Sequence, residues 1–187
     1  IVSEGFAWPR YSAMSRADHR RTAHSCTDGL FVDAVAIDSG DYSGPVGART
    51  VLRQPGVETA ILETARGGLL RRGLAVARAD VALVSNVSPD HFGEYGIHEL
   101  ADLAKAKLSV AHAVDPDGLL VLNADDALLR ELGPQSTRGR IGWFSLHDDD
   151  ALLVRHRADG GSTCAVADGR LWLSVGGDRH DLGVVAA

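Results

Sequence analysis

The stretch VETAILETARGGLLRRG, residues 57–73, decides how this chain is read. Its apolar run Ala60-Ile61-Leu62 stops at a carboxylate, Glu63, and two glycines follow at Gly67 and Gly68. In an open parallel sheet, ligands sit at the carboxyl ends of the strands. A strand that ends on a charge is therefore expected to face a cleft there. The glycines are expected to let the backbone turn sharply and approach a ligand closely. The run ARGGLLRRGL then reads as a loop entering a short helix.

The pattern repeats downstream. ADVALVSNV (79–87) is a second strand, apolar without alternation, as strands covered on both faces are. HELADLAKAKLSVAHAV (98–114) sets Leu100, Leu103, Ala104, Leu108, Ala111 and Val114 at helical spacing. DGLLVLNADD (117–126) is a third strand, and ALLRELG (127–133) a helical turn closed by Gly133-Pro134. Strands alternating with helices predict an α/β fold, doubly wound around a mostly parallel sheet.

The flanks are less regular. Residues 1–23 are irregular, with a short helix over SAMSRADHRR. Residues 22–47 read as loop and short strand, and 48–54 as a helix stopped by Pro55-Gly56. After residue 138, IGWFSL, ALLVRHR, STCAVADGRLWLSV and RHDLGVV read as short strands parted by Asp/Gly turns. That predicts an antiparallel β-meander over 139–187 rather than another strand–helix repeat. The expectation is one domain over 1–187.

Composition narrows the class. The chain has 187 residues, 45% of them apolar and 24% charged, which is globular. A net charge of −6 with no basic stripe argues against a nucleic-acid partner. No apolar run approaches the roughly 20 residues of a membrane helix, and no secretory signal is visible, so no membrane partner is expected. Cys26 and Cys164 fit free thiols of a reducing, cytoplasmic setting, with mutual pairing as the alternative. Ile1 stands where an initiator Met would, so the chain is expected to be a piece of a longer one.

Three successive strands end in polar residues: Glu63; Asn86 with Asp90 and His91; and Asn123 with Asp125 and Asp126. Glu63 and His91 suggest a hard divalent cation, since Mg²⁺ keeps several waters and takes its other ligands from phosphates. The plainer reading makes His91 an ordinary loop histidine. Lys105 and Lys107 are the only lysines. Two residues apart on a helix, they face different sides, so one can reach the cleft while the other is solvated. Asn123-Ala124-Asp125-Asp126 offers an amide to a base edge and carboxylates to ribose hydroxyls. It is equally a good Asx-turn and helix N-cap.

The segments LETARGGLLRRGL, SNVSPDHFGEYGI, DLAKAK and VLNADD, in this order, resemble the central ATPase domain of the Mur ligase family. Within it they resemble the Mur-like half of the cyanophycin synthetases, as do CTDG (26–29) and GDYSGP (40–45). The resemblance implies a P-loop NTPase-like fold and an ATP-dependent ligase that joins an acid to an amino acid through an acyl phosphate. It implies the cofactors ATP and Mg²⁺, with Glu63 and His91 as metal ligands and Lys107, the helix lysine, and His91 as catalytic residues, Lys105 being the fallback for Lys107. It also implies that Asn123 and Asp126 contact the nucleotide and that Asp41, Ser43 and Arg66 contact substrate. The partners would be a small-molecule or peptide-like acid and an amino acid, and an oligomer is compatible with the family.

One departure stands out. The family opens its central domain on a glycine-rich loop with Gly-Lys-Thr, whereas SEGFAWPRY (3–11) stands in its place and G-x-x-x-x-G-K-[ST] occurs nowhere in the chain. Such a loop presents backbone N–H groups and a lysine to phosphates. Losing one preorganised donor costs about 10²–10³ in rate. The expectation is a ligase core that is incomplete or inactive alone, lacking the phosphate loop and the C-terminal domain that receives the amino acid. The alternative is a non-catalytic Mur-like nucleotide-binding or assembly module. A dinucleotide enzyme on the same topology lacks its G-x-G-x-x-G signature.

Overall fold

The computed structural model describes residues 2–3, 20–89 and 97–185. His91, Asp90 and the SEGFAWPRY segment, apart from Ser3, lie outside these. The chain divides into two compact units, Ile1–Ala79 and Asp80–Ala187.

The first unit contains strands β1 (Val2–Ser3), β2 (Thr22–Ser25), β3 (Gly29–Val32), β4 (Val35–Ser39) and β5 (Thr59–Thr64). Helices α1 (Pro45–Leu52) and α2 (Arg66–Arg72) complete it. Strand β5 lies between β1 and β2 and is parallel to both, with Glu63 opposite Val2 and Leu62 opposite Ser25. Strands β2, β3 and β4 continue antiparallel. Ala23, Leu30, Val32 and Leu62 pack with Ala48 and Val51 of α1 into one buried cluster.

The glycine pair does not form the hinge expected of it. Gly67 and Gly68 belong to α2, and the left-handed residue is Gly73 at that helix's C-terminal cap, with φ 70°. Nor does Gly68 have to leave room for a neighbour. A methyl on Gly68 would meet Gly44 Cα and Pro45 Cδ only at 3.5 and 3.6 Å.

The second unit is ordered β6 (Ala79–Val84), β7 (Val114–Asn123), β8 (Arg140–Ser145), β9 (Ser162–Ala167), β10 (Arg170–Val175) and β11 (Asp178–Val184). Its helices are α3 (Leu100–Leu108), followed by a 3₁₀ turn over Ser109–Ala113, then α4 (Ala127–Ser136) and α5 (Ala151–Ala158). Strands β7, β8 and β9 run parallel, and β9, β10 and β11 antiparallel. The β9–β10 turn is Asp168-Gly169 and the β10–β11 turn Gly176-Gly177. All four residues have positive φ, as tight hairpins that match strand twist require.

The meander expected over 139–187 is therefore confined to its second half, from Ser162 on. ALLVRHR is helical, because the Asp150 carboxylate caps it, accepting the amides of Leu152 at 2.8 Å and Leu153 at 3.4 Å. Strand β8 with α5 is thus another strand–helix repeat. A smaller correction concerns α4, which runs through Gly133 and carries Pro134 inside its last turn rather than ending there.

Candidate functional site

In the second unit the carboxyl ends of β6 and β7 are stitched together by side chains. Asp126 caps α4 by accepting the amides of Leu128 and Leu129 on Oδ1, at 3.0 and 3.1 Å. Its Oδ2 accepts the Val87 amide, just past β6, at 2.6 Å. Asn123 Oδ1 closes the Asx-turn on the Asp125 amide at 2.8 Å. The capping reading of N-x-D-D is thus realised in full, and any ligand contact by Asp126 is additional to it.

The two lysines part as helical geometry requires. Lys107 is buried at 8% exposure and its ammonium donates to the Asn86 carbonyl at 3.1 Å. Lys105 points to solvent. Asn86 itself is held in a small polar cluster, accepting from the Ser85 hydroxyl and donating to Ser88. A buried ammonium, an amide and a carboxylate therefore sit around two adjoining strand ends of one unit. Lysines are almost never fully buried without a partner, and here the partner is a loop carbonyl at the strand end.

In the first unit Glu63 stands at the carboxyl end of β5, where its Oε2 accepts the Thr27 amide at 3.4 Å. Cys26, the preceding residue, is fully buried. Burial pushes its thiol pKa up, and the Glu63 and Asp28 carboxylates push it the same way. Both cysteines are free thiols. Asp41 Oδ1 accepts the Ser43 amide at 3.0 Å and the Ser43 hydroxyl at 2.6 Å, which shapes the turn into α1. This turn walls a cleft of about 270 Å³ whose lining includes Asp41, Ser43, Gly67, Gly68, Arg71 and Arg72. Arg66 does not line it. The two guanidiniums that do were passed over in the sequence, although the doublet in LLRRG was the signal for them.

Among the described residues no group of three or more His, Cys, Asp and Glu side chains converges as a metal cage. A single carboxylate such as Glu63 suits an ion that takes most of its ligands from water and phosphate. It does not suit one that needs a closed protein site. Among the described residues no helix is long and apolar enough to cross a membrane.

Comparisons with known proteins bear on the family and the fold. Cyanophycin synthetase of Geminocystis herdmanii is 39% identical over 153 residues, covering 82% of this chain and 17% of that protein. The UDP-N-acetylmuramoyl-L-alanyl-D-glutamate–2,6-diaminopimelate ligase of Ectopseudomonas mendocina is 34% identical over 123 residues, covering 63% of this chain and 25% of that one. A solved structure of a ligase of the latter name superposes on 91% of this chain and 34% of its own, with a TM-score of 0.67 at 19% identity. The chain thus spans about a sixth of the cyanophycin synthetase it matches. The Mur ligase middle domain matches residues 41–163, from the turn before α1 into β9. With two thirds of its length so matched, and with the α/β architecture of a solved Mur ligase, the chain belongs to the Mur ligase middle-domain family.

Proposed function

We propose that this chain is the nucleotide-binding core of an ATP-dependent ligase of the cyanophycin-synthetase type, joining an acid to an amino acid. The observation that carries the reading is Lys107, buried on α3 with its ammonium against the loop that leaves β6. A cation fixed beside two strand ends is placed to offset the charge of a transferring phosphoryl group. Asn123 would meet the base and Asp126 the ribose, through lone pairs that its caps leave over. Magnesium, held by Glu63 and His91, would neutralise phosphate charge. Asp41 and Ser43, with Arg71 and Arg72, would receive the acid substrate in the first unit's cleft, and Arg66, at the start of α2 and outside that lining, would reach it from beside. The protein would work in the cytoplasm.

A second reading is a Mur-like module that binds nucleotide or a partner without catalysis. Titration calorimetry with Mg·ATP separates the two. The ligase reading expects magnesium-dependent binding that Glu63→Ala weakens at least tenfold. Millimolar or no affinity in the unaltered protein, or an affinity indifferent to that substitution, would overturn it.

A further inference from the structure

Between Asn123 and Asp126 lies a carboxylate to which the nucleotide reading gives no part. Strands β7 and β8 pair from Leu119 opposite Arg140 to Asn123 opposite Phe144, and the Ala124 amide donates to the Phe144 carbonyl at 2.7 Å. In a parallel pair, a residue that donates to one neighbour accepts at its own carbonyl from the residue two places further along that strand. The next rung would therefore run from the Leu146 amide to the Ala124 carbonyl. It does not: Arg130 Nε takes that carbonyl. The Leu146 amide goes instead to Asp125 Oδ2 at 2.8 Å. Asp125 Oδ1 accepts the hydroxyl of the buried Ser145 at 2.6 Å, and Ser145 Oγ in turn accepts the His147 amide at 2.9 Å. A side-chain carboxylate thus stands in for a main-chain carbonyl at the last rung of the ladder. Beside it opens a cleft of about 420 Å³ lined by Ala124, Asp125, Ala127, Arg130 and His147.

We propose that Asp125 is a positioning residue for nucleotide. It fastens the loop Ser145–His147 to the turn that carries Asn123 and Asp126, the two residues given to base and ribose, and so fixes where those two stand beside the cleft. The inference rests on the nucleotide reading above. Asp125 also accepts the hydroxyl of buried Ser145, so its removal costs some stability as well, and the test must tell that loss from the loss of positioning. Helix α4 has its own cap in Asp126.

The test is ADP binding without magnesium, so that Glu63 takes no part, combined with amide exchange at Leu146 and His147. Asp125→Ala is expected to weaken ADP about tenfold and to speed exchange at both amides by more than it speeds exchange at the other protected amides. Asp125→Asn, which keeps one acceptor oxygen for the Leu146 amide, should retain most of the affinity. An Asp125→Ala protein that binds ADP like the unaltered one, or whose two amides speed up no more than the other protected amides, overturns the inference alone. An unaltered protein that binds no ADP overturns the nucleotide reading and this inference with it.

Discussion

Lys105 and Lys107 differ by two positions in sequence and by their whole environment in the fold. Lys107 is buried and donates to the Asn86 carbonyl, whereas Lys105 is solvated. Replacing Lys107 with Met keeps the aliphatic stem but leaves that carbonyl without its donor, at a cost of about 1–3 kcal/mol. Lys105→Met should stay within about 0.5 kcal/mol, as surface substitutions do. Urea denaturation of the two variants checks this, and equal losses would contradict the burial assigned to Lys107. The helical period already told that the two lysines face different sides. Which of them turns inward depended on which side of α3 meets the loop that leaves β6, and that is a tertiary fact. The same limit applied to the N-x-D-D turn. Its residues advertised both a cap and a ligand site, and the cap is visible because its donors are local amides, Leu128 and Leu129.

At the scale of elements, the strand–helix alternation from β5 to α4 was legible because apolar runs and amphipathic spacing carry it. Helix α5 was not. Leu153 is its one fully buried residue while Val154 stands half exposed, so ALLVRHR has no clear apolar face. Its helical state comes from the Asp150 cap, one of three successive aspartates. The glycines were misread for a related reason, since sequence shows that a side chain is missing but not which neighbour excludes it. Gly47, in α1, is under such a constraint, because a methyl there would overlap the Tyr42 carbonyl and Cβ. Gly47→Ala should destabilise by about 1–3 kcal/mol through overpacking. Gly68→Ala, with open contacts in α2, should be neutral or stabilise by about 0.5–1 kcal/mol, the usual gain of Ala over Gly in a helix. Thermal unfolding of the pair gives the comparison. A destabilised Gly68→Ala protein would show that the pair is needed for a bend after all.

For the molecule as a whole, composition correctly set a globular class, and the motif order carried the family. What neither announced is a histidine inside the first unit. His24 on β2 is 2% exposed and stacks on Phe31 with ring centroids 4.6 Å apart. Burial lowers its pKa from 6.5 to about 4, so the folded protein keeps the ring neutral where the unfolded chain takes up a proton. Between those two values the unfolded state binds more protons, so stability rises with pH across the window. The contribution is complete above the unfolded value and is lost as pH falls toward the folded one. The separation of the two values corresponds to about 3 kcal/mol, enough to remove a large part of a domain's net stability. His24→Phe keeps an aromatic ring against Phe31 and removes the proton. Amide exchange of β2 and β5, followed at several pH values between 4.5 and 7, should show the unaltered protein losing protection as pH falls and the variant losing markedly less. Parallel loss in the two proteins would place the acid sensitivity in the carboxylates instead and leave His24 a packing residue only.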